Sequence, residues 1–437
     1  MRLKTFSKSS LSLIILIVIP LTFSVPNAFA EVKAGSACKK LGQIQVVKKQ
    51  TYACVKSGKK LVWKKKAEVV KPATNLPAKG PTLSFIETLR SPAINGKFPI
   101  ENWKFSIPKD APTSWQDLYE KRDGIAYQAW LSISKTDKQT PSVVEEVTIA
   151  VGPKTKLLYS DIKGAITKVS RSFFTTAQPK SVKVLAFNYE DRDWALAQVS
   201  AMVANEEESY RKRQEENLVN TCSAERQVCW GATAGSTPSG QGFLLVGIVD
   251  KDRLQTLDPS FSSYMRSERG LTIAHEYFHV VQLFTLGKNW YQMLYTPPIW
   301  FNEASATYVE NAVMNQSSFD TYMRFRAADS KLAYPSCGPA DQGCIAVTEE
   351  VMTKFLSLSN YQNNWSDFPY GMKYEVSNRV IEALVALKGY QSIADIYRYQ
   401  AQNHTFEEAF EHVYGIEYSK AIPILAKIVS EEFANNL

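Results

Sequence analysis

Through its second half this chain spaces its apolar residues mostly at helical intervals, and short β-branched runs interrupt the pattern. Over residues 160–175, Ile162, Ile166, Val169, Phe173 and Phe174 fall on one helical stripe. Residues 182–187 are a β-branched run that predicts a strand. A second helix follows over 190–204, led by Trp194, Leu196, Val199 and Met202, with the charged residues 206–217 as its exposed continuation. The Ser-, Thr- and Gly-rich segment 231–242 reads as a loop, and 243–249 as a buried strand. Residues 271–286 are apolar enough to bury a helix, and Gly287 supplies its stop. Further helices are predicted over 375–387, 393–402, 406–413 and 421–433, with a capping box of Thr405 and Glu408 and a stop at Gly415 on the third. Residues 82–154 are less regular. Aromatic clusters around Trp103, Trp115, Tyr119 and Trp130 mix with turn residues, and 124–133 and 143–151 predict strands of a supporting N-terminal subdomain.

The first thirty residues have a different character. Arg2, Lys4 and Lys8 precede an apolar run over 11–25, and the segment ends in Ala28-Phe29-Ala30. This is the layout of a secretory signal peptide over residues 1–30, with cleavage expected between Ala30 and Glu31. The run is short for a bilayer span and is broken by Pro20, so no stable membrane span is expected after cleavage. Residues 31–66 form a small Lys-rich Cys-pair module, and 67–81, with Pro72, Pro77, Gly80 and Pro81, form a linker. Export also bears on the six cysteines. They fall in three local pairs, Cys38/Cys54, Cys222/Cys229 and Cys337/Cys344, which suggests three loop-stapling disulfides.

Charge separates the module from the rest. Residues 31–66 hold eleven lysines and one glutamate, a net of +10. With the +3 of residues 1–30 removed as well, the chain total of +8 leaves residues 67–437 at −5. The basic balance is therefore a property of the N-terminus, and nucleic acid is not an expected partner. A cationic patch beside Trp63 suits an anionic cell-surface polymer or lipid headgroups.

The candidate chemistry lies in His275-Glu276-Tyr277-Phe278-His279, an H-E-x-x-H sequence in a chain with only four histidines. On a helix, side chains at i and i+4 stand one above the other, so both imidazoles reach one metal ion at about 2.0–2.1 Å. Glu276, about a quarter-turn round, is placed to act as general base on a metal-bound water without being a ligand. The alternative is an ordinary buried helix whose histidines bond to carbonyls. A catalytic zinc takes a third protein ligand. The metzincin pattern would need Gly and His where this chain has Gln282 and Thr285.

Downstream stands Trp300-Phe-Asn-Glu303-Ala-Ser-Ala306-Thr-Tyr308, with Glu310 close by. Here the chain resembles the gluzincin peptidases (peptidase MA-like), whose second motif often reads W-x-x-E-G-x-A-x-Y. Trp300, Glu303, Ala306 and Tyr308 match, and Ala304 replaces the usual Gly. The resemblance implies one Zn2+ held by His275, His279 and Glu303, with Glu276 as general base and Glu310 in reserve as a ligand. Thr307 or Glu310 would support the histidines from behind. It further implies a tyrosine before a C-terminal helix as oxyanion donor, Tyr370 first and Tyr374 second, with His404 and His412 as substitutes. The strand 243–249 would run along the cleft, its edge pairing with extended substrate. The fold implied is α+β: a zincin-like catalytic domain over 155–437, with a small sheet, an active-site helix and a helical C-terminal lobe. The activity implied is that of an exported zinc metallopeptidase acting on protein or peptide substrates, secreted or held at the cell surface. The competing reading is a non-catalytic zinc-containing surface protein attached through its basic module. A closed structural zinc site has no use for Glu276, which favours the enzyme.

Overall fold

The computed structural model describes residues 33–47, 50–65, 82–83, 104–136, 139–237, 239–249, 266–287, 297–332, 336–337, 344–358, 368 and 371–433. The expected signal peptide and linker lie outside them. The chain divides into two compact units, 1–71 and 72–437.

The first unit is a three-stranded antiparallel sheet, β1 (Ile44–Val47), β2 (Gln50–Ser57) and β3 (Lys60–Lys65), in that order. A disulfide joins Cys38 to Cys54. Trp63 pairs across from Cys54, and both are buried. The tryptophan expected beside the basic patch is therefore core: its register opposite Cys54 puts the largest apolar side chain of the unit on the buried face.

The second unit is mixed, with a small sheet and many helices. Its sheet has the order β6-β7-β5-β4, formed by β4 (Glu146–Val151), β5 (Ser181–Phe187), β6 (Ala232–Ser236) and β7 (Gly242–Gly247). The pairs β4/β5 and β5/β7 are parallel, and β6 joins β7 antiparallel. Alternation along the strands sends side chains to opposite faces. Val182 and Val184 of β5, with Leu244 and Val246 of β7, enter the main core. Leu185, Phe187, Phe243 and Leu245 face the other side, where Ala195, Val199 and Leu218 cover them. Those three belong to α3 (Arg192–Met202) and α4 (Glu208–Asn220), two separate helices rather than one with an extension.

Three further expectations are overturned. Residues predicted as a strand at 124–133 form α1 (Ile125–Ser134). Apolar runs of this length carry no period that separates a buried helix from a buried strand, and packing decides. Strand β7 is not an edge. The edge beside it is β6, from the segment read as a loop. Its residues are small, Gly235 leaving room for the ring of Phe243 on the neighbouring strand, and small residues carry no apolar alternation to detect.

The main core joins α2 (Ile162–Ser172), α5 (Leu271–Leu286) and α6 (Ile299–Met314) with the C-terminal helices. Those after α6 are α7 (Phe319–Leu332), α8 (Glu349–Leu356), α9 (Ser377–Lys388), α10 (Gln391–Gln400), α11 (Phe406–Tyr414) and α12 (Tyr418–Phe433), and a short π-helical stretch, Met372–Val376, leads into α9. The predicted capping box of Thr405 and Glu408 forms, and Gly415 ends α11 in the left-handed region. Phe105, Leu118, Ile125 and Val144 lie in this same core, so the irregular N-terminal segment and the helices share it.

Of the remaining cysteines, Cys222 and Cys229 are bonded. Cys337 and Cys344 stand opposite each other in a two-stranded ribbon.

Candidate metal centre

Helix α5 lies between the sheet and α6, buried on almost every side. Gly270 starts it with φ 72°, and a Cβ there would lie 2.4 Å from the ring of Tyr159, so only glycine fits the turn into the helix. Downstream, Tyr277 OH donates to Gln178 Oε1 at 2.7 Å and fixes the helix about its axis.

Rotation about that axis brings His275 and His279 to one face, where α6 presents Glu303. The Nε2 atoms of the two histidines are 3.1 Å apart, and Glu303 Oε2 is 3.4 Å from His275 Nε2 and 3.3 Å from His279 Nε2. Three donors tetrahedrally bound at about 2.0–2.1 Å stand about 3.3–3.4 Å from one another. The observed triangle therefore has the size of three corners of a tetrahedral site. Among the described residues, this is the group of three His or carboxylate side chains whose donor atoms, all within 4.8 Å of one another, could hold an ion. The residues fit a divalent cation. His275 is buried, while the side chains of His279 and Glu303 keep 19% and 16% exposure, so solvent reaches part of the group.

The opposite ring nitrogens are held from behind. His279 Nδ1 is 2.7 Å from Gln282 Oε1, and the Gln282 amide donates to the Asn302 carbonyl at 3.0 Å and to Ser305 Oγ at 2.9 Å. A backbone carbonyl only accepts, so the NH2 of Gln282 must face Asn302 and its oxygen must face the imidazole. His279 then carries its proton on Nδ1, which leaves the Nε2 lone pair for the ion. His275 Nδ1 lies 3.2 Å from Glu310 Oε2, an ion-pair approach off the line of a formed hydrogen bond. Arg266 reaches that same oxygen at 2.8 Å. Glu310 thus stands behind His275 and not beside Nε2: it supports the site and does not ligate. Thr307 contributes nothing to the rings, since its hydroxyl donates to the Glu303 carbonyl.

Sequence reasoning found the triad and Glu310 but missed Gln282. The only signal was a polar residue on the apolar face of a buried helix, one turn after His279.

Charge balance follows from this packing. Burial works to lower the His275 pKa, but the Glu303 and Glu310 carboxylates outweigh it and push it up to about 10. The same contest, decided by Glu303, raises His279. Burial works against the Glu303 carboxylate, yet the two imidazoles hold it well below the usual range. Glu276 is buried beside them, and its carboxyl is raised by burial against the pull of both imidazoles.

Trp300 and Tyr308 are core residues: Trp300 packs on Phe301 and Phe406, and Tyr308 OH donates to the Ala129 carbonyl at 2.8 Å. They set the position of α6, and Glu303 alone of that motif enters the site. Tyr370 lies outside the described residues. Tyr374 is buried, its ring stacked on His275 with centroids 6.1 Å apart. His404 and His412 stack on the two faces of Tyr399 and take no part in the triad.

Comparison of the chain with protein-family models, with curated proteins and with solved structures finds no match.

Proposed function

We propose that the protein is an exported zinc metallopeptidase of the gluzincin type, with His275, His279 and Glu303 as ligands. The observation that carries this is the triangle of two Nε2 atoms and one carboxylate oxygen, 3.1–3.4 Å on a side, with Glu276 next to it. Two imidazoles and one carboxylate, with the remaining corner open, are a donor set that catalytic zinc takes. An ion held there would supply Lewis acidity, lowering the pKa of water toward about 7 and polarising a substrate carbonyl.

The chain's own residues supply the rest. Glu276, raised by burial, is suited to take a proton from the attacking water and to hand it to the leaving amine. The Glu310–Arg266 pair and Gln282 hold the imidazoles in place. Strand β6 packs against α5, and its outer edge is the one an extended peptide would join by backbone hydrogen bonds. Disulfides at Cys38–Cys54 and Cys222–Cys229 suit an oxidising, extracellular setting, and no helix among the described residues is long and apolar enough to cross a membrane.

The test is hydrolysis of casein and of a peptide library, with and without chelator, beside Glu276→Gln. Wild type should cleave, chelation should abolish cleavage, and the variant should retain its metal while losing activity by about 10²–10⁴-fold. Zinc bound without any hydrolysis would instead point to the non-catalytic surface protein.

A further inference from the structure

The described stretch of the N-terminal unit carries charge that no acidic side chain of its own offsets. Residues 33–65 contain ten lysines and no aspartate or glutamate. Lys39, Lys40, Lys56, Lys59, Lys60, Lys64 and Lys65 are all exposed.

Register sorts these lysines onto two faces. Ile44 pairs with Ala53 and Ala53 with Lys64, so those three side chains form a row on one face of the sheet. Val55 pairs with Val62, and Ser57 with Lys60, adding two more rows to that face. The opposite face bears Cys54 and Trp63, which are buried, with Lys56 and Lys65 beyond them. The first face is therefore apolar and uncovered. Ile44 is 56% exposed, and Ala53, Val55 and Val62 are each partly exposed. Two lysines flank this apolar strip. Leu41, in the turn before β1, is a further exposed apolar side chain of the same unit, at 61%.

A soluble polyanion would match the lysines but has no use for the apolar strip. An anionic bilayer surface matches both: its headgroups attract the ammonium groups while apolar side chains enter the boundary beneath. Lysine stems can lie along such a surface with their charged ends at headgroup level. We infer that the face bearing Ile44, Val55, Val62, Lys60 and Lys64 is a docking surface for anionic lipid membranes. The inference is independent of the peptidase reading, because it concerns the other unit and is read without any substrate.

The test is co-sedimentation of the full chain with vesicles of phosphatidylcholine, with and without about a third phosphatidylglycerol, and with polyphosphate as a soluble polyanion. The protein should bind the anionic vesicles and not the neutral ones. At about five-fold per lysine, Lys60→Gln with Lys64→Gln should weaken vesicle binding about thirty-fold. The same charge loss at Lys56 and Lys65, on the opposite face, should cost only a few-fold. Ile44→Ser should weaken vesicle binding about ten-fold and leave polyphosphate binding unchanged. Because Ile44 is exposed, its replacement leaves the fold intact, and Leu41→Ser serves as a second apolar variant. Equal binding to neutral vesicles, or no binding to anionic ones, would overturn the proposal. So would equal losses from the two lysine pairs. Vesicle binding unchanged in both Ile44→Ser and Leu41→Ser would make the face a polyanion site instead.

Discussion

Gln282 makes the sharpest claim about how the site works. Replacing it with Ala removes the acceptor for His279 Nδ1 and the donors to the Asn302 carbonyl and Ser305 Oγ, contacts of 2.7, 3.0 and 2.9 Å. Two consequences should separate. The imidazole is freed to change tautomer and to turn, and loss of such an outer partner costs about 10–100-fold in metal affinity. That is about 1.4–2.8 kcal/mol. The stranded polar groups are buried, at about 1–3 kcal/mol each before water enters, so the fold should lose about 2–4 kcal/mol. Gln282→Glu distinguishes the two effects. It keeps an oxygen for His279 but sets another against the Asn302 carbonyl, so it should lose stability yet bind metal better than Gln282→Ala. The assay is zinc competition against a chromophoric chelator, run beside urea unfolding of each variant. Gln282→Ala binding zinc within about two-fold of wild type would refute the tautomer argument. Metal affinity that simply followed stability across both variants would refute it too.

Two further predictions concern buried charge. Glu375 is buried on the stretch before α9, and burial holds its carboxyl up at about 7, above the ordinary 4.5. Below pH 4.5 it is protonated folded or unfolded. As pH rises from there to 7 the unfolded chain releases the proton first, so stability falls by about 3 kcal/mol across that window. Urea unfolding at several pH values should show this fall in wild type and lose it in Glu375→Gln; an unchanged slope in the variant would refute the assignment. Arg326 lies fully buried between Glu382 and Glu432, at 2.9 and 2.7 Å, with Arg379 completing the cluster. Arg326→Met leaves two carboxylates to share one guanidinium and should destabilise the protein by about 3–5 kcal/mol in chemical denaturation. A loss below about 1 kcal/mol would mean the charges were already relieved by solvent.

The chemistry-bearing residues were legible because their relations are local. His275 and His279 share a helix face through covalent spacing alone, and a capping box such as Thr405 with Glu408 is likewise complete within one turn. Wherever one element must meet another, the pattern gave less. Residues 125–134 are helical because the core on either side asks for a helix, and β6 is the edge beside α5 although its small residues carry no strand signal. Trp63 looked like a surface aromatic among lysines until its pairing with Cys54 placed it inside.

The sequence by itself determined which side chains stand ready for a divalent cation, since a four-residue interval on a helix leaves two imidazoles no choice of face. Only the tertiary structure decided that Glu303 completes the triangle while Glu310, two turns further along the same helix, stands behind His275. Both carboxylates fall on one face of α6, seven residues apart. Which oxygen meets which ring nitrogen depends on the crossing of α5 over α6, and that crossing is set by the packing of Trp300, Tyr308 and the core around them.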